Sequence, residues 1–270
     1  MTTEKLSIWA GGKSPFSIHW GKLYMWIFLV SDAFTFSSLL ISYGVLRHKF
    51  LEVWPHAYEV FVHFPLFGEK SVPLAYVGLM TFILILSSVT MVLAVEASHR
   101  KSKKEILIWL SLTIIGGFFF LGSQAWEWTH FIMGSEQGAI HLIKTPDNKF
   151  NGQIAHWTNE DRTAIILPDR TVLSPSQSTP YIANSEKVEG ANLEVNEYGP
   201  PMFADYFFGV TGFHGFHVFS GVAINIIVLI LVWKGSFDKS GNYGIIENIG
   251  LYWHFVDLVW VFVFTCFYLV

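Results

Sequence analysis

His214 and His217 stand three residues apart in an apolar, glycine-rich run that carries Gly209, Gly212, Gly215 and Gly221. On a helix that spacing places both imidazoles on one face. Two such rings form a ligand pair for haem or a metal when another helix supplies partners. His254 and Asp257, one turn apart near the C-terminus, are the candidate partners. The competing reading is a polar seam, in which imidazoles and carboxyls satisfy one another inside a helix bundle. Spacing favours the seam, because a haem pair between two helices calls for two histidines on each and the last segment offers one. Two further carboxyls lie in apolar surroundings. Asp32, in Phe28-Leu29-Val30-Ser31-Asp32-Ala33-Phe34, reads either as an anchor bonded to a neighbouring helix or as a proton-handling group. Glu127, in Gln124-Ala125-Trp126-Glu127-Trp128, reads as an interfacial anchor beside its tryptophans. Cys266 is the only cysteine, so an internal disulfide and a thiolate cluster are excluded. Phosphate-cradling loops and nucleophile elbows are absent from the sequence.

The elements that hold these groups must lie in a membrane. Charged residues make up 14% of the 270, against about 25% in soluble domains, and aromatic residues reach 17%. Mean hydropathy is +0.42 even with a polar stretch at 133–202 diluting it. A net charge of −4 gives no basic field for nucleic acid. A bilayer core takes roughly twenty apolar residues of helix. Five stretches meet that length: Leu23–Leu46, Leu74–Val95, Ile106–Trp126, Phe203–Trp233 and Ile245–Val270. Pro73 and Pro200–Pro201 mark helix starts, where a missing N–H costs nothing. Glycines three apart on the fourth span, Gly209, Gly212, Gly215 and Gly221, let another helix approach closely. The fold expected is an all-α integral membrane bundle of five helices with a long extracytoplasmic insertion between the third and fourth. Its parts are a tail at 1–22, three spans within 23–132, the insertion at 133–202 and two spans within 203–270.

Nine Lys and Arg fall on one side of these spans: Lys5, Lys13 and Lys22, Arg100 through Lys104, then Lys234 and Lys239. The short opposite loop has Arg47, Lys49 and Lys70. The positive-inside rule therefore puts the N-terminus in the cytoplasm, with the C-terminus and 133–202 outside. Residues 1–20 lack the apolar core of a cleavable signal peptide. Within the insertion, Phe150–Gly152 and Pro168–Arg170 read as turns, Ala164–Leu167 as a strand and 174–180 as an extended polar linker. The aromatic stretch Val53–Phe67 reads as lying among the headgroups. Glu160, Asp161, Glu186, Glu189, Glu194 and Glu197 make the insertion acidic, a surface that steers basic partners or braces a neighbouring respiratory complex. Ile140, Ile143, Ile165, Ile166 and Leu167 favour bracing, since they offer apolar contact. The bland alternative is a solvated cap.

Three segments carry a family resemblance. Thr211-Gly212-Phe213-His214-Gly215-Phe216-His217 resembles the Thr-Gly-Phe-His-Gly-Leu-His signature of subunit III of haem–copper terminal oxidases. Tyr252-Trp253-His254-Phe255-Val256-Asp257-Leu258-Val259-Trp260 resembles that family's last-helix signature. Gln124-Ala125-Trp126-Glu127-Trp128 resembles its Gln-Ala-x-Glu-Tyr segment, and Asp32 falls where the family keeps a glutamate one methylene longer. The chain resembles the short five-helix bacterial form, in the plasma membrane. The 133–202 insertion has no counterpart in compact members.

The resemblance implies an accessory subunit of a proton-pumping cytochrome c oxidase, in aerobic electron transport. It implies no haem or copper in this chain, those centres being in partner subunits. Packing against subunit I, membership of a complex with subunit II, support of proton uptake and bound phospholipid are its further implications. Asp32, Glu127, His214, His217, His254 and Asp257 are then proton-handling or structural groups, with no catalytic residue and no metal ligand. The electron donor, cytochrome c or quinol, docks elsewhere. An accessory subunit of a nitric oxide reductase and a haem-binding cytochrome b are the competing identities.

Overall fold

The computed structural model describes residues 20–61, 74–135, 137–159, 161–192, 194–237 and 243–270. Lys5, Lys13, Phe64, Phe67, Lys70, Pro73, Glu160 and Lys239 lie outside them. Among the described residues, five helices are long and apolar enough to cross a membrane. They are α1 (Trp20–Lys49), α3 (Ala75–His99), α4 (Lys103–Met133), α6 (Pro201–Trp233) and α7 (Gly244–Phe264), which runs on into a π-helical turn, Thr265–Leu269. α1, α3, α4 and α6 outlast the apolar stretches that announced them by two or more residues at one or both ends, while α7 with its π turn matches its stretch to within a residue. Polar first and last turns extend a helix at no cost where water meets its ends. Pro200 caps α6 and Pro201 opens it, as the missing N–H allows.

Between α1 and α3, the four-residue α2 (Ala57–Val60) tucks against the π turn. Phe61 packs at a tilt with its ring centroid 4.5 Å from that of Tyr268, and Trp54 meets Phe203 edge-on at 5.8 Å. The helix directions follow from contacts at both ends. Lys22 pairs with Glu247 and Arg47 with the Val270 carbonyl, so α1 and α7 run parallel. The ends of α1, α4 and α7 and the start of α6 therefore share one end of the bundle.

That end carries a small sheet. Strands β1 (Ala139–Leu142), β2 (Gln153–Trp157), β3 (Ile165–Ile166) and β4 (Ser185–Val188) form an antiparallel sheet in the order β3-β2-β1-β4. Alternate residues face a dry core of Ile140, Leu142, Ala155, Ile165 and Leu167, partly covered by Tyr181 and Ile182. Here the structure corrects two expectations. Residues 174–180 are not an extended linker: Pro175–Ile182 is a helix, α5. Ser174 and Gln177 cap it reciprocally and Pro175 opens it, a local signal that outweighs polar composition. Ile140, Ile165 and Leu167 are not free for a partner either, because this small core consumes them. Only Ile143, half exposed, and Ile166 at the sheet edge remain accessible.

A buried carboxylate ties the sheet to the bundle. Glu197 accepts from the Ser135 amide at 3.1 Å and the Gly190 amide at 2.8 Å, and also from the Ser135 hydroxyl. Gly134 and Gly190 meet here with φ of 81° and 62°, conformations that a side chain would strain.

Inside the bundle, small residues set the helix spacing. A methyl on Gly117 would stand 2.5 Å from Val222 and 2.8 Å from the Trp253 ring. Neither neighbour is the end of a flexible chain. Gly117→Ala is expected to destabilise the bundle by about 1–3 kcal/mol. Gly122→Ala on the same helix, with open space around it, should leave stability unchanged. Thermal unfolding of both variants in mild detergent checks the contrast.

Candidate functional site

Asp32 lies near the middle of α1 on the side turned to α6. Its Oδ2 stands 3.1 Å from His217 Nε2, and both side chains are about nine-tenths buried. His217 Nδ1 lies 2.7 Å from the Phe213 carbonyl one turn back. A carbonyl only accepts, so Nδ1 carries a hydrogen. Nε2 and Oδ2 would then repel unless a proton sits on one of them. Oδ2 is a close polar contact of the ring without an aligned hydrogen bond, and with one proton between them the pair is electrically neutral overall. Phe36 and Phe213 pack around the imidazole at 5.4 and 4.6 Å between ring centroids. Tyr252 of α7 closes the site from the other side, donating to the His217 carbonyl at 3.1 Å and sharing 2.7 Å with Ser220.

His214 shares the helix face of His217 but not its partners. It is 1% exposed, boxed by Trp260 at 5.1 Å, Phe120 at 5.6 Å and Phe36 at 6.4 Å. Neither of its ring nitrogens meets a hydrogen-bond partner among the described residues. His254 turns instead to α3, with Nδ1 2.8 Å from Ser88 Oγ, and Asp257 on the next turn reaches the same hydroxyl. The three histidines thus face three different surroundings and are not gathered on one point. Among the described residues, no cluster of three or more His, Cys, Asp or Glu side chains is arranged to hold a metal ion.

Glu127 is buried against the protein, at 5% exposure. Tyr268 Oη donates to its Oε2 at 2.9 Å, and Gln124 Nε2 donates to the same oxygen at 3.0 Å. Adjacent helical residues point about 100° apart, so the flanking tryptophans leave in other directions. Trp126 meets Tyr76 at 4.5 Å, while Trp128 donates to Thr211 at 3.1 Å. The glycines divide as well. Gly212 faces Trp128 and Gly221 faces Trp253 and Tyr252, whereas among the described residues nothing lies within 4 Å of a methyl placed on Gly209 or Gly215.

Sequence reasoning passed over Ser88, Ser220, Tyr252 and Tyr268, the hydroxyls that partner the ionisable groups. Their signal was a hydroxyl within an otherwise apolar span, which a search for acids and histidines ignores. The Thr81 hydroxyl, which accepts from the Trp260 indole at 2.9 Å, went unnoticed for the same reason.

Breaking the central pair has a defined cost. His217→Leu leaves Asp32 buried without a counterpart and is expected to destabilise by about 3–5 kcal/mol. Removing both groups, Asp32→Leu with His217→Leu, should recover much of that loss. A double-mutant cycle read by thermal unfolding in detergent measures the coupling.

Residues 196–270 match the family model described as Cytochrome c oxidase subunit III. Three relatives extend the likeness over most of the chain. A probable quinol oxidase subunit 3 of Staphylococcus saprophyticus is 25% identical over 249 residues, covering 92% of this chain and 88% of its own length. A cytochrome c oxidase subunit 3 of Alkalihalophilus pseudofirmus is 27% identical, covering 73% and 67%. A cytochrome bo(3) ubiquinol oxidase subunit 3 of Pseudomonas aeruginosa is 24% identical, covering 90% and 82%.

Proposed function

The chain belongs to the haem–copper oxidase subunit III family, and we propose that it is the accessory subunit of a proton-pumping oxidase in a bacterial plasma membrane. In this reading it packs against subunit I, shares a complex with subunit II and leaves the haem and copper chemistry to those chains. Its own task is to steady subunit I during turnover and support proton uptake. The N-terminus faces the cytoplasm, and the sheet and C-terminus face outward, following the distribution of Lys and Arg. Cytochrome c and quinol remain alternative donors, since relatives of both names align with this chain. Phospholipid on the lipid-facing helix sides belongs to the same reading.

The observation that carries the reading is the Asp32–His217 contact. A buried acid and base in contact can pass a proton between them while also holding α1 to α6. Exchange through such a pair requires no movement of backbone, only transfer across the 3.1 Å between them. The remaining polar groups, His254 with Ser88 and Glu127 with Tyr268, tie helices together.

Asp32→Asn in the intact oxidase tests the role, since it preserves size and removes the titrating group. Assembly is expected to survive. Oxygen consumption should lose its normal pH profile or fall several-fold faster over successive turnovers. A variant that matches the parent in pH profile and lifetime would reduce Asp32 to an anchor. Purification in mild detergent tests the assignment itself: a copper-bearing subunit II should accompany the chain, and an accompanying nitric oxide reductase would overturn it.

A further inference from the structure

Ser220 and Tyr252 crowd three short contacts onto two hydrogens. Ser220 Oγ stands 2.9 Å from the His217 carbonyl, Tyr252 Oη stands 3.1 Å from the same carbonyl, and the two hydroxyl oxygens are 2.7 Å apart. The carbonyl only accepts, and each hydroxyl has one hydrogen to give. If both donated to the carbonyl, their oxygens would face each other with no hydrogen between them, which is repulsive. Two arrangements remain. In one, Ser220 donates to Tyr252 and Tyr252 donates to the carbonyl. In the other, Tyr252 donates to Ser220 and Ser220 donates to the carbonyl. Passing between them needs only the rotation of two O–H bonds, and no proton leaves its oxygen.

The place of this triangle gives the rotation something to act on. Tyr252 is 6% exposed, and its ring centroid lies 6.2 Å from that of Phe28. Phe28 stands one turn before Asp32 on the same face of α1. Asp32 is within electrostatic reach of the Tyr252 hydroxyl. The triangle is anchored on the backbone of His217, whose ring meets Asp32. Asp32 from α1, His214 and His217 from α6 and Tyr252 from α7 are the ionisable groups that face this junction. His214 has no hydrogen-bond partner among the described residues, so it offers the pair no bonded link. The Asp32–His217 contact is close but unaligned, and its geometry pins the proton to neither group. At low dielectric, a nearby O–H dipole weighs heavily on which distribution of charge is favoured.

We propose that Tyr252 is a positioning residue for the proton of the Asp32–His217 pair, with Ser220 supplying the alternative acceptor that lets its hydroxyl turn. One orientation of the Tyr252 hydrogen supports a carboxylate beside an imidazolium. The other leaves a neutral acid beside a neutral ring favoured. The proton stays within the pair throughout, and each hydroxyl keeps its own hydrogen. The inference rests on the reading that the pair handles a proton, and it names what sets the place of that proton.

Infrared difference spectroscopy of the intact complex, with isotope-labelled aspartate, reads the ratio of carboxylic acid to carboxylate at residue 32. Subtracting the spectrum of Asp32→Asn isolates that residue. Tyr252→Phe keeps the ring and removes the hydroxyl, and it is expected to raise the ratio about tenfold, the worth of one net hydrogen bond. Ser220→Ala leaves Tyr252 only the carbonyl as acceptor and should displace the ratio about threefold, a part of that hydrogen bond. It keeps the test open should Tyr252→Phe fail to assemble. Ser88→Ala is the control, because it removes a hydroxyl tie to His254 on the opposite side of α7. There the ratio should match the parent. A ratio unchanged in Tyr252→Phe and Ser220→Ala would overturn the inference and leave the triangle a tie between α6 and α7. An equal displacement in Ser88→Ala would overturn it too, by marking the effect as general loosening of the bundle. The reading of the pair fails separately, when Asp32→Asn leaves the pH profile and the lifetime of oxygen consumption as in the parent.

Discussion

A carboxyl buried in a bundle that lies in hydrocarbon needs a polar partner, and Asp32 has one in His217. The Asp32–His217 contact is therefore the constraint from which the packing of α1 follows. Lipid offers these groups no hydrogen bonds, and separating them would strand at least one polar group at a cost of several kcal/mol. α1 is the span with the smallest buried share of the five, so apolar packing alone fixes its rotation weakly. The pair supplies the missing direction. Turning Asp32 toward α6 brings Phe36, one turn on, against Phe213 at 4.9 Å and places Ser42 2.6 Å from Tyr206. The ion pair of Lys22 with Glu247 at one end and the Arg47 contact at the other then hold α1 parallel to α7. One polar contact orients the helix, and the end contacts set its height.

The remaining helices are held differently. α3 and α4 pack through small and hydroxyl residues: Ser87 donates to the Thr113 carbonyl at 3.0 Å, and Thr90 shares 2.8 Å with the Thr113 hydroxyl. A methyl on Gly116 would stand 2.7 Å from Ser87, so the two helices touch almost backbone to backbone. Such contacts need no charge and tolerate no bulk. Where α4 leaves the bundle, the chain must pass from helix to sheet and back into α6. Glu197 governs that passage by taking amide hydrogens from both strands of the return. The sheet is thereby an outgrowth of the helix ends rather than a separate body on a tether.

The features legible in the sequence were those written in consecutive residues. The five spans follow from apolar length, and Pro200–Pro201 at the head of α6 from the chemistry of proline. The need of Asp32 for a partner was legible because burial of a carboxyl demands one. The identity of that partner was not, since three histidines met the same demand and only packing separates them. The partners of Glu127, Tyr268 and Gln124, were not legible from its tryptophan neighbours, because rotation along the helix turns adjacent residues toward different neighbours. The linker reading of 174–180 failed for a related reason. Average polarity argued for a coil, yet Ser174 and Gln177 had written a helix start into it. The strands β1 to β4 have two to five residues each, too few for alternation to stand above noise.

The same principle runs through the membrane part and the sheet: polar groups decide where apolar surface is spent. Ile140, Ile165 and Leu167 look like an adhesive surface when read along the chain, but alternate residues of a strand share a face, and theirs is the face of the core. Folding turns the isoleucines inward and leaves His141 and His156 on the opposite side, above Trp54 and the end of α1. The outer surface of this domain is mainly polar, with Ile143 and Val172 as exposed apolar side chains. A neighbour that docks there must be recognised by charge and hydrogen bonds, whereas one that docks on α1 meets exposed Phe34, Ile41 and Val45. The two faces are chemically distinct, and each admits a different kind of contact.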